Sequence, residues 1–371
     1  MQSLVALDIE PSQQFVDELS KAWDEGDAVL PIDQRLPGEA KRRLIDELKP
    51  THIVTANDRQ KLQGGVNVEP KDALVVATSG STGAPKGVVL TQDSVFASAQ
   101  ASSLALDVTF DDHWYSCLPL AHVGGLSVVT RSLLMGTQLT VTSKFDADEV
   151  DRHSHLCTLI SLVPTALQRI DPRKFRAVLL GGSQPPMDRP KNVIATYGLT
   201  ETGSGIVYDG HPLHGVEIKI DENDEILVRS PMNMRCYRDG TTSIDSDGWL
   251  HTGDIGSYSN GGLLTVQGRR GDVIVTGSEK VWPQAVEIAI ASLFEPQQFA
   301  IIGVPDAEWG ERVVVVTTKT DVSLGQVKDL VLQTLPNYCV PKSVHVVESI
   351  PLTAIGKIRR SELRQQLSTS N

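Results

Sequence analysis

Thr78-Ser79-Gly80-Ser81-Thr82-Gly83-Ala84-Pro85-Lys86-Gly87 follows directly on Ala73-Leu74-Val75-Val76-Ala77, a short continuous apolar run. Such a run predicts a buried strand of an α/β sheet, and here the strand breaks into glycines, hydroxyls and one lysine. Glycines let backbone N–H groups close around anionic oxygens, hydroxyls add donors, and Lys86 supplies a mobile positive charge. The spacing differs from G-x-x-x-x-G-K-[ST], because proline precedes the lysine and glycine follows it. A flexible surface loop is the plain alternative to a phosphate cradle. The density of donors immediately after a buried strand favours the cradle.

Working outward, residues 87–90 read as a second strand and 93–106 as a helix, with earlier helices at 12–24 and 39–48. The strand signal returns at 114–118, 138–142, 156–162 and 176–180, with helical patterns between, which predicts a layered α/β fold. Past residue 214 the texture changes. Residues 216–220 and 225–229 flank a polar turn, and 255–258 and 263–267 flank Ser259-Asn260-Gly261-Gly262, whose Asn-Gly suits a type I′ hairpin. A small α+β region follows: strands at 273–275, 299–302 and 313–317, and helices at 283–293 and 323–335. The 371 residues, at about 150 per domain, fit one large and one smaller domain. The expected division is 1–269, layered α/β with an added β-rich subdomain; a hinge at Arg270, Gly271 and Asp272; and 273–371, a small mobile α+β domain.

Forty-six acidic against 34 basic side chains give a net charge of −12, which excludes the basic stripe a nucleic-acid binder needs. A hydrophobic fraction of 40% excludes disorder. No apolar stretch is long enough for a membrane span, and the N-terminus lacks the basic and apolar regions of a secretory signal. Cys117, Cys157, Cys236 and Cys339 lie far apart and read as thiols in a reducing cytosol.

Position for position, the opening stretch matches T-S-G-S-T-G-x-P-K-G, and so it resembles the phosphate loop of the adenylate-forming acyl-CoA synthetase superfamily. The resemblance continues in order and spacing. Tyr197-Gly198-Leu199-Thr200-Glu201 is similar to Y-G-x-T-E, and Trp249-Leu250-His251-Thr252-Gly253-Asp254 to W-x-x-T-G-D. Gly268-Arg269 is similar to the arginine that opens the hinge, and Pro351-Leu352-Thr353-Ala354-Ile355-Gly356-Lys357 to the loop of the catalytic lysine. A carboxylate is a poor electrophile. Attack on the α-phosphate of ATP makes it an acyl-adenylate, and that chemistry needs donors, cations and Mg²⁺ in fixed places.

The resemblance implies that Thr78, Ser79, Gly80, Ser81, Thr82, Gly83 and Lys86 hold the β- and γ-phosphates. It assigns Gly181, Gly182 and Ser183 to the nucleotide site, Tyr197 to the adenine face, Thr200 to the α-phosphate and Glu201 to Mg²⁺. Asp254 with Arg269 would take the ribose hydroxyls, and Lys357 would stabilise charge at the reacting carboxylate and α-phosphate. Gly277 and Ser278 resemble the loop that forms the pantetheine tunnel for CoA, although an ordinary strand-to-helix turn fits them too. Taken singly, Lys357 reads as a solvated lysine, Asp254 as a turn former and Glu201 as a helix cap; the ordered set argues for a shared site. The chain departs from relatives at Gly271, often aspartate or lysine, at Ile355, often a small hydroxyl residue, and at Cys236, usually glycine.

For the acid, residues 119–136 (PLAHVGGLSVVTRSLLMG) place Arg131 alone in a largely apolar helical segment, 126–135. A buried guanidinium is costly unless paired, so it should meet a carboxylate of the protein or of a ligand. Snorkelling to the surface is the alternative. The P-L-x-H-x-x-G run, Ser161-Leu162-Val163-Pro164-Thr165, and Val207-Tyr208-Asp209-Gly210 followed by Pro212-Leu213 are similar to the o-succinylbenzoate–CoA ligases of menaquinone biosynthesis, the compact actinobacterial type looking closest. That similarity implies an aromatic dicarboxylic acid whose spare carboxylate meets Arg131, with Ser161 nearby. His122 would border the acyl pocket, or be a core histidine. Pro164, Gly203 and Ser204 would line its wall, with Gly205 in place of a threonine found in relatives.

The implied activity joins 2-succinylbenzoate to CoA at the expense of ATP, with Mg²⁺, in the cytoplasm. It involves small-molecule partners, no nucleic acid and no membrane span, and leaves open a homodimer or higher oligomer. The alternatives are a CoA ligase for another aryl or fatty acid, an adenylation domain loading a carrier protein, and a nucleotide-binding relative without catalysis.

Overall fold

A computed structural model describes residues 2–79, 85–182, 185–186, 188–277, 279–295, 297–352 and 358–368. Of the residues singled out above, Gly80, Ser81, Thr82, Gly83, Ser183, Ser278, Ile355 and Lys357 lie outside the described residues. The chain divides into two compact units, one of Met1–Lys219, Leu227–Thr252 and Ser259–Leu264, the other of Ile220–Ile226, Gly253–Tyr258 and Thr265–Asn371.

The first unit holds two seven-stranded sheets. In the first, Leu4–Asp8 lies between parallel Ala28–Pro31 and His52–Thr55. Ala28–Pro31 is followed by Asp72–Ser79 in parallel, then by antiparallel Pro85–Thr91 and Cys236–Tyr237. The predicted strand at 73–77 is extended to Asp72–Ser79 by its antiparallel partner, with Thr78 opposite Lys86 and Ser79 opposite Pro85. The two strands therefore pair right up to the neck of the glycine-rich loop.

The second sheet is parallel across Gln138–Val141, His113–Ser116, Leu159–Leu162, Ala177–Leu180 and Val193–Gly198. Gly205–Tyr208 then pairs antiparallel with Val193–Gly198. Helix Gln92–Ala105 touches strands of both sheets, and helix Val123–Met135 packs on it and on the second sheet. Small side chains make this layer close-packed: Ser94, Ser98, Ala99, Ala101, Ser102 and Ser103 are the buried residues of Gln92–Ala105 besides Val95. Buried hydroxyls need partners, and two find them across the layer: Ser98 Oγ lies 2.7 Å from Ser204 Oγ, and Ser102 Oγ lies 2.6 Å from Tyr208 Oη. Thr91 and Ser94 form a reciprocal cap at the start of the helix.

A further sheet orders Glu217–Ile220, Glu225–Arg229, Leu250–Tyr258 and Leu264–Arg269, matching both predicted hairpins. The turn between the last two is not type I′. Neither Asn260 nor Gly261 has positive φ, whereas Gly262 has φ 78° and its N–H donates to Ser259 O. Two glycines follow Asn260, so the left-handed conformation moves to the second of them, as in three-residue hairpins.

In the second unit, Phe299–Asp306 pairs antiparallel with Gly310–Thr317, which is flanked by Ile274–Thr276 and parallel Ser343–Val346. Alternation along the strands splits the core: Ile301, Val313 and Val315 pack with Val286, Ile290, Val327 and Val331, while Ala300, Ile302, Val314 and Val316 pack with Leu363.

Asp72 is fully buried, and its two oxygens accept from Arg235 Nε and Nη2, each at 2.9 Å. That pair ties the segment entering strand Cys236–Tyr237 to the sheet. Removing the cation strands a buried carboxylate, so Arg235→Ala should lower stability by about 3–5 kcal/mol, read from denaturant unfolding midpoints against wild type.

Candidate active site

Three residues expected on the nucleotide side, Thr78, Lys86 and Glu201, come together at the neck of the glycine-rich loop. Thr78 Oγ1 donates to Lys86 O at 3.4 Å, and Lys86 Nζ lies 4.9 Å from the centre of the Tyr237 ring. The Tyr237 hydroxyl donates to Glu201 Oε1 at 2.9 Å, so two residues assigned from sequence to phosphate and metal meet on one tyrosine. Glu201 sits in the short 3₁₀ helix Thr200–Thr202, which Gly203 ends. Met234 N donates to Glu201 O at 2.7 Å, fixing the backbone beneath the carboxylate. Mg²⁺ characteristically takes one or two protein carboxylates and completes its shell with water and phosphate oxygens. Among the described residues no group of three or more His, Cys, Asp or Glu could hold a metal alone. A carboxylate such as that of Glu201 suits a metal that arrives with the nucleotide.

Gly181 ends the strand Ala177–Leu180, and Tyr197 belongs to its neighbour Val193–Gly198. A Cβ on Gly181 would come within 2.9 Å of Thr196 Oγ1, so the neighbouring strand leaves little room for a side chain here. Gly182 lies against Val163, next to Pro164, which opens the short helix Pro164–Leu167. Strand ends of a parallel sheet and the loops leaving them are the usual place for ligands in such folds.

One face of the second sheet is unexpectedly polar. Trp114 is opposite Leu159, Ser161 opposite Leu179, and Thr196 opposite Tyr208. With a period of two along each strand, Trp114, Ser116, Ser161, Thr196 and Tyr208 share that face. Helix Val123–Met135 lays Arg131 on it, with the guanidinium carbon 4.9 Å from the Trp114 ring. Arg131 is only 2% exposed, and its Nε and Nη1 have no hydrogen-bond partner. Trp114 Nε1 and Ser116 Oγ are likewise buried without one. Burial pulls the Arg131 pKa down, and Tyr208 partly offsets that pull. Arg131 does not snorkel. A narrow cavity is lined by Leu74, Leu90, Ser98, Ser127, Thr130 and Gly203, among others; Arg131 is not one of its lining residues, and Ser98 in its wall meets Ser204.

His122 precedes the same helix as its N-cap residue. Its Nε2 lies 3.2 Å from Asp33 Oδ2 and 3.1 Å from Arg35 Nη2, so the ring is held at the surface edge rather than in the core. Arg35 also donates to both oxygens of Asp33, at 2.8 and 2.6 Å. Burial works to raise the Asp33 pKa, but the hydrogen bonds from Arg35 and His122 outweigh it and hold the carboxyl well below the usual range. Sequence reasoning missed Asp33 and Arg35; their spacing of two is an unremarkable Asx-type turn until the fold brings His122 to it.

The remaining predicted residues belong to the second unit. Asp254 Oδ1 lies 3.0 Å from Arg269 Nε, joining the two residues assigned to ribose. Arg270–Asp272 forms a 3₁₀ turn in which Arg270 Nη2 lies 3.1 Å from Glu225 Oε2. Gly277 packs under the half-exposed Trp309, to whose carbonyl it donates at 2.7 Å. Leu352 bridges antiparallel to Ile358, and Arg359 N donates to Pro351 O at 2.9 Å. From the helix that follows, Arg360 reaches Glu287 at 2.6 Å and Asp272 at 3.5 Å, and Arg364 donates to the carbonyls of Gly271 and Asp272.

Residues 15–238 match the family model described as AMP-binding enzyme, and 285–357 that described as AMP-binding enzyme C-terminal domain. The 2-succinylbenzoate–CoA ligase of Bacillus anthracis is 32% identical over 333 residues, 78% of this chain and 69% of that protein. The enzyme of the same name from Listeria innocua is 30% identical over 372 residues, 89% of this chain and 79% of that protein. Among solved structures, o-succinylbenzoate CoA synthetase from Bacillus subtilis with its acyl-adenylate intermediate superposes with a TM-score of 0.86 at 26% identity, covering 98% of this chain and 88% of that one. ATP-bound MatB from Rhodopseudomonas palustris, at 21% identity and a TM-score of 0.85 over 99% and 89% of the two chains, shares the fold.

Because the Asp33 pKa is depressed in the fold, its ionised form stabilises the protein above the unfolded-state pKa of about 4, and that contribution fades as pH falls toward the folded-state value. Asp33→Asn should therefore be less stable than wild type at neutral pH, with the gap narrowing below about pH 4, as thermal unfolding across pH would record.

Proposed function

The chain belongs to the AMP-binding enzyme family, and from that membership we infer that it ligates 2-succinylbenzoate to CoA through an acyl-adenylate, giving succinylbenzoyl-CoA, AMP and pyrophosphate. The observation that carries the choice of acid is Arg131: a buried guanidinium whose Nε and Nη1 are unpartnered, on a polar sheet face. An unpaired buried charge is costly, and an incoming carboxylate removes that cost by accepting both hydrogen bonds. An aromatic acid with a second carboxylate suits a cation whose neighbour is the Trp114 ring.

In the first half-reaction an oxygen of the acid's reacting carboxylate forms a bond to the α-phosphorus of ATP, and the bond to the bridging oxygen breaks to release pyrophosphate. Lys86 and the loop from Thr78 to Gly83 hold the β- and γ-phosphates, Thr200 the α-phosphate, Tyr197 the adenine, and Asp254 with Arg269 the ribose. Gly181, Gly182 and Ser183 let the nucleotide lie against backbone. Mg²⁺, when bound at Glu201, neutralises charge on the phosphate oxygens. Lys357 steadies the charge that develops between carboxylate and phosphate. In the second half-reaction the thiolate of CoA attacks the acyl carbon, the acyl–phosphate bond breaks, and AMP leaves. The small domain, 273–371, first delivers Lys357 and then turns about Arg270, Gly271 and Asp272 to bring Gly277 and Ser278 to the thiol arm. His122, Ser161, Pro164, Gly203 and Ser204 shape the acyl pocket. ATP and CoA as co-substrates support a cytosolic location.

A panel of aryl, dicarboxylic and fatty acids in a pyrophosphate-release assay tests the substrate; a monocarboxylic or fatty acid turned over best would replace this reading with that of a different CoA ligase. Arg131→Ala should raise KM for the dicarboxylic acid by about 10- to 100-fold while leaving KM for ATP near wild type; an unchanged acid KM would reject the anchor. Lys357→Ala should cut adenylation by about 10²–10³-fold yet leave thioester formation from preformed acyl-adenylate largely intact. Equal loss in both half-reactions would sink the two-state scheme.

A further inference from the structure

We propose that Tyr237 is a positioning residue for the metal–nucleotide pair, its ring seating Lys86 and its hydroxyl aiming Glu201. The inference rests on the assignment of those two residues to phosphate and metal, and it adds a residue that no motif singled out for this role. The placement follows from register. Cys236–Tyr237 is a two-residue strand on the edge of the first sheet, with Tyr237 opposite Val88 and Cys236 opposite Val89. Lys86 is two residues before Val88 on the same strand, so Lys86 and Tyr237 are diagonal neighbours on one face. Diagonal positions are within reach of a long side chain and an aromatic ring, and Lys86 Nζ lies 4.9 Å from the ring centre.

The far end of the same side chain meets Glu201. Its hydroxyl donates to Oε1 at 2.9 Å and lies 3.4 Å from Ser243 Oγ. Behind it the turn is locked: Tyr237 N donates to Thr241 O, Gly240 N to Tyr237 O, and Thr241 donates its N–H and hydroxyl to Asp239. Those hydrogen bonds, with the charge of Lys86, hold the Asp239 carboxyl below its ordinary range. Lys86 and Glu201 carry opposite charges yet are not ion-paired with each other among the described residues; each touches the phenol instead. A direct pair would spend both charges on one another. Meeting through a neutral tyrosine leaves the ammonium available to phosphate oxygens and the carboxylate available to a cation, at a fixed separation. A flexible lysine and a flexible glutamate both lose rotamer freedom on binding, and seating them beforehand removes part of that loss.

The test separates ring from hydroxyl. Tyr237→Phe keeps the ring under Lys86 and removes only the donor to Glu201; Tyr237→Leu removes both. Mn²⁺ is titrated into enzyme with ATP and no acid, free Mn²⁺ being read by electron paramagnetic resonance, and ATP affinity is measured at saturating Mn²⁺. Tyr237→Phe should weaken Mn²⁺ binding by about 10-fold with ATP affinity at saturating metal close to wild type. Tyr237→Leu should weaken both. Unchanged Mn²⁺ affinity in Tyr237→Phe, alongside a clear loss in the control Glu201→Gln, overturns the role of the hydroxyl. Unchanged ATP affinity in Tyr237→Leu overturns the role of the ring. Unchanged Mn²⁺ affinity in Glu201→Gln overturns the proposal through the metal assignment beneath it, a failure that leaves the choice of acid standing because no acid is present.

Discussion

The antiparallel pairing of Asp72–Ser79 with Pro85–Thr91 is the constraint from which the nucleotide side of this protein is built. From the Leu74–Leu90 pair it is continuous to the Ser79–Pro85 pair, which fixes the width of the neck of the glycine-rich loop. The same strand that delivers Lys86 also recruits Cys236–Tyr237 as its outer neighbour, and through Tyr237 it reaches Glu201. Asp72, at the far end of the hairpin, holds the approach to that outer strand through Arg235. Backbone hydrogen bonding thus sets the spacing of one cation and one carboxylate brought from distant parts of the chain. Hydrogen-bonded strands are far stiffer than loops, which makes a sheet edge a better mount for charge than the loop alone.

The acid side is governed by a different balance. Cores usually satisfy their polar atoms, and two buried hydroxyls of Gln92–Ala105 are satisfied across the layer, Ser98 by Ser204 and Ser102 by Tyr208. Among the described residues the buried side-chain atoms without partners are scattered except around Arg131, where Nε and Nη1 gather with Trp114 Nε1 and Ser116 Oγ. Stability alone would not favour such a cluster, because apolar residues of the same volume would pack there at less cost. A site that waits for an anion would retain it, and the low charge of its surroundings would make each hydrogen bond to that anion strong. The net charge of −12 describes the surface; the cations assigned to ligands are few and individually placed.

Much of the architecture was legible in the chain. Apolar runs marked many of the strands, but Leu250–Tyr258 and Phe299–Asp306 run four or five residues beyond their expected ends, and Leu4–Asp8, Ala28–Pro31, His52–Thr55 and Val193–Gly198 were not expected. Helices followed their capping residues, and the change of texture after residue 214 marked the added β-rich part. Boundaries moved where pairing or packing extended an element: Asp72–Ser79 grew along its partner, and the helix carrying Arg131 began at Val123 rather than at 126, running on from its His122 cap. The turn at 259–262 was misassigned because a dipeptide rule cannot choose between adjacent glycines; the backbone path of the flanking strands does so. In the site, Arg131 was visible as an isolated charge in an apolar pattern, but its direction was not, since a single helix period allows both snorkelling and burial. Asp33, Arg35, Trp114 and Tyr237 gave no comparable signal.

By itself, then, the sequence determined the order of the motifs, the identity of the charged and glycine residues within them, and the periodicities that make an α/β body followed by a small α+β part. Those are local properties, carried by residues within a few positions of one another, so they survive without knowledge of the fold. Tertiary structure decided which groups face each other: Tyr237 with Glu201 and Lys86, Asp33 with His122, Trp114 and Tyr208 with Arg131. Strand register and helix packing fix these encounters between residues far apart in the chain. A shift of one residue in register would turn each side chain to the opposite face without altering any local pattern.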